Sequence, residues 1–130
     1  MHSIVRRAQT ADLYDKSLVF DLDDTLSFAD ISIEDSKTRY ASTKPNTPLI
    51  EKLRECHKNG WYITILTARH MRSALNDVDI CFNKLSQITV DWLDRHDIPF
   101  DQLVFGKPYG VWYIDDKAMT LEGFQNEFRP

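Results

Sequence analysis

Leu18-Val19-Phe20-Asp21-Leu22-Asp23-Asp24-Thr25-Leu26 holds two opposed tendencies within nine residues. Three consecutive apolar residues open it, as in a strand buried on both faces. Three carboxylates then fall within four positions. A buried strand does not accept so much negative charge without compensation, which a divalent cation at the carboxyl edge of a parallel sheet would supply. Side chains alternate along a strand, so Asp21 and Asp23 share a face. The pattern suits covalent catalysis by one carboxylate, with the second as acid and base and a hard cation such as Mg²⁺ nearby. An acidic turn after a core strand is the alternative.

The totals narrow the field. At 130 residues the chain has room for one domain with a real core. Its net charge of -4 provides no basic footprint for nucleic acid or an anionic membrane. Cys56 and Cys81 are too few for a disulfide framework or a zinc site and read as reduced core thiols, which fits a cytoplasmic protein. No apolar run reaches membrane-spanning length, and Met1-His2-Ser3-Ile4-Val5-Arg6-Arg7 lacks the core of a signal peptide.

In chain order, residues 1–16 read as a short extension with a helical turn at Thr10–Tyr14, and residues 17–130 as a single domain. The first strand is Leu18–Leu22. Residues 27–46 are polar and read as a loop or small flap over the acidic strand end. Thr47 as N-cap and Pro48 at the first helical position open a helix striped by Leu49, Ile50, Leu53 and Cys56, which Asn59-Gly60 ends. Trp61–Leu66 is a second strand, making a right-handed β–α–β unit. Residues 67–72 read as a loop and 73–82 are ambiguous. A helix follows over Leu85–His96, then short strands at Leu103–Phe105 and Val111–Ile114. Beyond Lys117, Met119, Leu121, Phe124 and Phe128 suggest a docked turn of helix or an edge strand. The fold class is α/β, an open, mainly parallel sheet with ligands expected at the carboxyl ends of its strands.

Each of these four strands is followed by groups useful to phosphoryl transfer: Asp21 and Asp23, Thr67, Lys107, and Asp115 with Asp116. In a parallel sheet these ends converge on one edge. Asp21-Leu22-Asp23-Asp24-Thr25 and the order of the other groups resemble the haloacid dehalogenase superfamily. Leu66-Thr67-Ala68-Arg69-His70-Met71-Arg72, Gly106-Lys107-Pro108-Tyr109 and Tyr113-Ile114-Asp115-Asp116-Lys117-Ala118 resemble its small capsule-polysaccharide-biosynthesis phosphatases, from about Leu18 to Ala118.

The resemblance implies a Rossmannoid three-layer α/β/α sandwich without a large cap domain. It also implies a Mg²⁺-dependent phosphatase acting on a phosphorylated sugar or alditol through an aspartyl-phosphate. Asp21 would be the nucleophile and Asp23 the acid and base. Thr67 and Lys107 would complete the catalytic set, and Thr67, Ala68, Arg69 and Lys107 would bind substrate. Asp21, Asp23, Asp115 and Asp116 would hold the metal, with the order of the last two open and Mn²⁺ equally suited to oxygen ligands. His70, Arg72, Tyr109, Phe28 and Tyr40 are further candidates for substrate contact, whereas Trp112 reads as core. An open site suits a large substrate or closure by a neighbouring subunit. The competing readings are a nucleotide or polynucleotide end phosphatase and a non-catalytic binding domain on the same fold.

Overall fold

The computed structural model describes residues 3–7 and 15–130. The elements, in order, are β1 (Ile4–Arg6), β2 (Ser17–Asp21), β3 (Ser27–Phe28), α1 (Ser36–Ala41), β4 (Lys44–Pro45), α2 (Thr47–Lys58), β5 (Tyr62–Thr67), α3 (Val78–Arg95), β6 (Gln102–Phe105) and α4 (Leu121–Glu127). The main sheet has the order β1-β6-β5-β2, with β2, β5 and β6 parallel and β1 antiparallel at the edge. This is an α/β fold with a mainly parallel open sheet and no cap domain.

The apolar runs explain the frame. In β5, Ile63 and Ile65 are inaccessible to solvent between β2 and β6. Register sets Phe20 beside Ile65 and Ile65 beside Leu103, so these three share one face of the sheet. The two β–α–β units step the same way across the sheet, and right-handed crossovers therefore carry α2 and α3 to one side. Ring contacts agree. Phe124 of α4 meets Phe20 edge-on at 5.3 Å, and Phe82 of α3 meets Phe105 at 5.5 Å. Leu49, Ile50, Leu53 and Cys56 of α2 join Leu85, Trp92 and Leu93 of α3 in the same core. The opposite face carries the exposed Val19.

Several expectations shift. Ile4–Arg6 lies within the presumed extension but pairs with β6; the helical turn expected at Thr10–Tyr14 lies outside the described residues. Asn46, not Thr47, occupies the N-cap position of α2, since Thr47 already has helical geometry; the Asn46 side chain makes no capping bond, and its amide donates to the Thr25 carbonyl instead. The second long helix begins at Val78, not Leu85, since the Asp77 carboxylate accepts from the backbone N–H groups of Asp79 and Ile80. The flap is real and folded: β3 pairs with β4, α1 lies between them, and the Trp92 indole donates to the Thr43 carbonyl. The tail docks as α4, with Phe124 buried.

The largest departure is the fourth strand. Val111–Ile114 forms no strand and is exposed, including Trp112, which had the look of a core residue. Gly106 and Lys107 both donate their backbone N–H to the Thr67 carbonyl, pinning the chain to the end of β5. Only Pro108, Tyr109 and Gly110 then precede Val111, too short a link to carry it past β2 within one chain.

Candidate active site

The strand edge that the sequence singled out holds an open cleft of about 320 Å³ lined by Asp21, Asp23, Asp24, Arg69, Lys107 and Tyr113 among others. Asp21 closes β2, and both of its carboxylate oxygens are engaged. Oδ1 accepts from Lys107 Nζ at 3.0 Å and Oδ2 from the Thr25 hydroxyl at 2.9 Å. Lys107 reaches this place because Gly106, with φ of +106°, turns the chain off β6. A side chain at Gly106 would also meet Val78 at 3.0 Å, so glycine suits both the backbone and the space.

Asp23 stands on the tight turn after β2. Asp24 adopts φ of 63° and donates its backbone N–H to the Ser27 carbonyl, while Leu22 and Leu26 are sealed in the core beneath. The Asp23 carboxylate accepts from the Thr67 hydroxyl at 2.8 Å and from Arg69 Nε at 2.8 Å. Thr67 Oγ1 in turn accepts from the Arg69 backbone N–H at 3.0 Å, which fixes the hydroxyl's orientation. Asp21, Asp23, Thr67 and Lys107, distant in sequence, thus meet at the ends of β2, β5 and β6.

Arg69 has a different setting from the loop residue expected to meet substrate. It is 1% exposed and each of its three guanidinium nitrogens donates a hydrogen bond. Beyond Asp23, it donates to the Thr89 hydroxyl at 3.0 Å and the Ser27 hydroxyl at 3.4 Å, and it lies 4.6 Å from the centre of the Tyr40 ring. A buried charge with this set of partners orients Asp23 and joins the flap to α3. Ser27, Tyr40 and Thr89 were not foreseen in this role. Thr89 left a trace, as a hydroxyl on the α3 face that carries Leu85 and Trp92. Ala68, His70, Arg72 and Tyr109 line the cleft, with the Arg72 guanidinium 5.4 Å from the Tyr109 ring centre. Burial first, then the nearby Lys84 and Arg39 charges, holds the His70 pKa below the usual imidazole value. Phe28 is half exposed on the flap and is not part of the cleft lining.

Asp115 and Asp116 do not join the other acids. Both are exposed and absent from the cleft wall, because the strand that would have delivered them does not form. The Asp115 carboxylate accepts instead from the Lys117 backbone N–H at 2.9 Å, and this bond holds its pKa below the usual carboxylate range. Among the described residues no cluster of three or more His, Cys, Asp or Glu side chains could hold a metal. Of the four acids expected to hold Mg²⁺, Asp21 and Asp23 share the cleft and Asp115 and Asp116 lie outside it. Cys56 and Cys81 are free and buried, with thiol pKa values raised chiefly by that burial. No helix of the described residues is long and apolar enough to cross a membrane.

Comparison with known proteins gives several structural likenesses. A crystal structure from Vibrio cholerae matches with a TM-score of 0.70 and 36% identity, over 85% of this chain and 88% of that one. A chain of a Pnkp1/Rnl/Hen1 complex matches at a TM-score of 0.51 and 21% identity, over 95% of this chain but 40% of that one, a likeness of fold. No protein-family model matches, and no curated protein does.

Proposed function

The chain belongs to the same family as the Vibrio cholerae protein, and from the geometry of its strand ends we propose that it is a haloacid-dehalogenase-type phosphatase. The observation that carries this reading is the pairing of two carboxylates with different partners at one sheet edge. Asp21 lies against Lys107, and Asp23 against Thr67 and Arg69. A binding module needs no second carboxylate beside the first, whereas a two-step hydrolysis does.

In the first step an Asp21 carboxylate oxygen attacks phosphorus. The bond from phosphorus to the ester oxygen breaks, and that oxygen takes a proton that the monoanionic phosphate ester brings in and Asp23 relays. In the second step water attacks the phosphorus of the aspartyl-phosphate while Asp23 accepts its proton, releasing inorganic phosphate and restoring Asp21. Lys107 offsets the repulsion between an anionic nucleophile and an anionic ester. The Thr67 hydroxyl, bonded to Asp23 at rest, is placed to turn toward a phosphoryl oxygen. Arg69 keeps the Asp23 carboxylate aimed. No step is assigned to Mg²⁺, because the acids proposed to hold it do not meet within one chain.

The substrate class proposed is a small phosphorylated sugar or alditol, a capsule precursor by resemblance. In support, Tyr40, His70, Arg72, Ser73 and Tyr109 line the cleft with hydroxyl, imidazole and guanidinium groups suited to polyols. The test is phosphate release from a panel of sugar, alditol and nucleotide phosphates, with and without Mg²⁺, using Asp21→Asn as control. Release lost in that variant is expected. Release that persists in Asp21→Asn would remove the proposed nucleophile, and a preference for oligonucleotide 3′-phosphates would remove the carbohydrate assignment.

A further inference from the structure

The free side of β2 and the stranded segment Val111–Asp116 are complementary. From Leu18 to Asp21, β2 has β5 on one side and no other strand among the described residues on the other. Val19 beside that edge is 64% exposed. Elsewhere in the chain, Val111, Trp112 and Ile114 are 80%, 83% and 99% exposed, in a run of β-forming residues that ends in two carboxylates. An unpaired parallel edge and an unpaired β-competent segment are each costly to leave open.

Within one chain the two cannot meet in the useful register. If Asp115 stood level with Asp21, Val111 would stand level with Ser17, about 13 Å down the strand. Lys107 is tied to the end of β5, so the free side of β2 lies two strand spacings away, roughly 9.5 Å. The straight distance from Lys107 to the start of such a strand is then about 16 Å, and the real path must also clear the sheet. Four residue steps extend to ~14 Å at most. A second copy has no such limit.

We propose that two copies of this chain exchange the segment Val111–Asp116, each laying it parallel to the free edge of the other's β2. The register that sets Asp115 beside Asp21 also sets Ile114 beside Phe20, on the face where Phe20 meets Phe124, and Tyr113 beside Val19 on the other. Backbone groups of Leu18–Asp21 gain partners, and the most exposed apolar side chain of the segment is covered. Asp115 and Asp116 arrive next to Asp21, supplying the acids that a single chain withholds. The active site is then shared, with Asp21, Asp23, Thr67 and Lys107 from one copy and the final carboxylates from the other. This last consequence rests on the phosphatase reading, but the strand exchange does not.

Light scattering on the full chain tests the exchange first, with a mass twice the 15.2 kDa of one chain expected. Ile114→Asp should shift that mass to one chain with an unchanged far-UV spectrum, because the side chain is exposed when the copies are apart. In a Val19→Cys/Tyr113→Cys double variant, oxidation should yield a band of two chains on a non-reducing denaturing gel. A one-chain mass at all concentrations, an unaffected mass in Ile114→Asp, or no interchain disulfide would each overturn the proposal. Shared acids are read separately by co-refolding Asp21→Asn with Asp115→Asn/Asp116→Asn. Each is inactive alone, and random pairing should restore about a quarter of the wild-type phosphate release. No recovery, with an active wild type, would show that the acids are not shared. A wild type that releases no phosphate would strike the phosphatase reading while mass and disulfide still decide the exchange.

Discussion

Asp21-Leu22-Asp23-Asp24 and Asp115-Asp116 look alike in the sequence, each following an apolar run, yet the structure treats them in opposite ways. The first set is held by side chains from distant elements, with Lys107 and Thr25 on Asp21 and Thr67 and Arg69 on Asp23. The second sits in solvent, with Asp115 bonded to the backbone two residues on. Local signature is the same and reach is not. β2, α2 and β5 are joined by links long enough to return each strand to the same edge, whereas Gly106–Gly110 is too short to do so.

The sharpest way to break this contrast is Asp21→Asn, which should lower phosphate release by on the order of 10³-fold or more, measured by inorganic phosphate appearance. Retained turnover would mean that the held acids are no more functional than the exposed ones. Asp23→Asn comes next, with a loss of about 10²–10⁴-fold. Dependence of the residual rate on the leaving group's basicity would sharpen the assignment, because departure without a proton donor should become limiting.

Arg69→Met reads the architecture rather than the chemistry. It removes the one buried cation facing Asp23, Thr89 and Ser27, and urea unfolding should show a loss near the lower end of the range for a broken buried pair, about 3 kcal/mol. The lower end is apt because the Asp23 side chain remains 31% exposed and partly screened. A change within experimental error would mean that the network is ornamental.

The smallest effect is that of pH. His70 and His96 both have folded pKa values lowered mainly by burial. Each therefore binds fewer protons when folded than when unfolded. Stability is full above the unfolded value near 6.5 and is lost as pH falls below it. The thermal midpoint should be lower at pH 5.5 than at pH 7.5, and His70→Gln should narrow the gap. An identical gap in that variant would remove His70 as a source.

How much of this was legible follows from range. The β2–α2–β5 unit was read nearly residue for residue, because apolar runs and the Pro48 and Asn59-Gly60 boundaries act locally. Asp21, Asp23, Thr67 and Lys107 were named because an open parallel sheet gathers strand ends, a rule of topology rather than of contact, and because their order resembles that of a known family. β1 was missed because three residues, Ile4–Arg6, carry no period, and their pairing with β6 is nearly a hundred positions away. Val111–Ile114 was misread because composition reports what a segment can pair with, and not whether its tether lets it. The role of Arg69 was hidden for a related reason. Its partners come from four separate segments, and only Thr89 on an otherwise apolar helix face hinted at a buried polar neighbour.

That guanidinium also makes the flap and the acid mechanically one part. Ser27 and Tyr40 grip Arg69 from the flap side while Asp23 grips it from the strand end. On the proposed reading, an ester bulky enough to lift the flap would rotate the same rigid plane that aims Asp23. Size discrimination would then register as slower turnover more than as weaker capture, with the flap acting as a gauge geared to the chemistry rather than as a door in front of it.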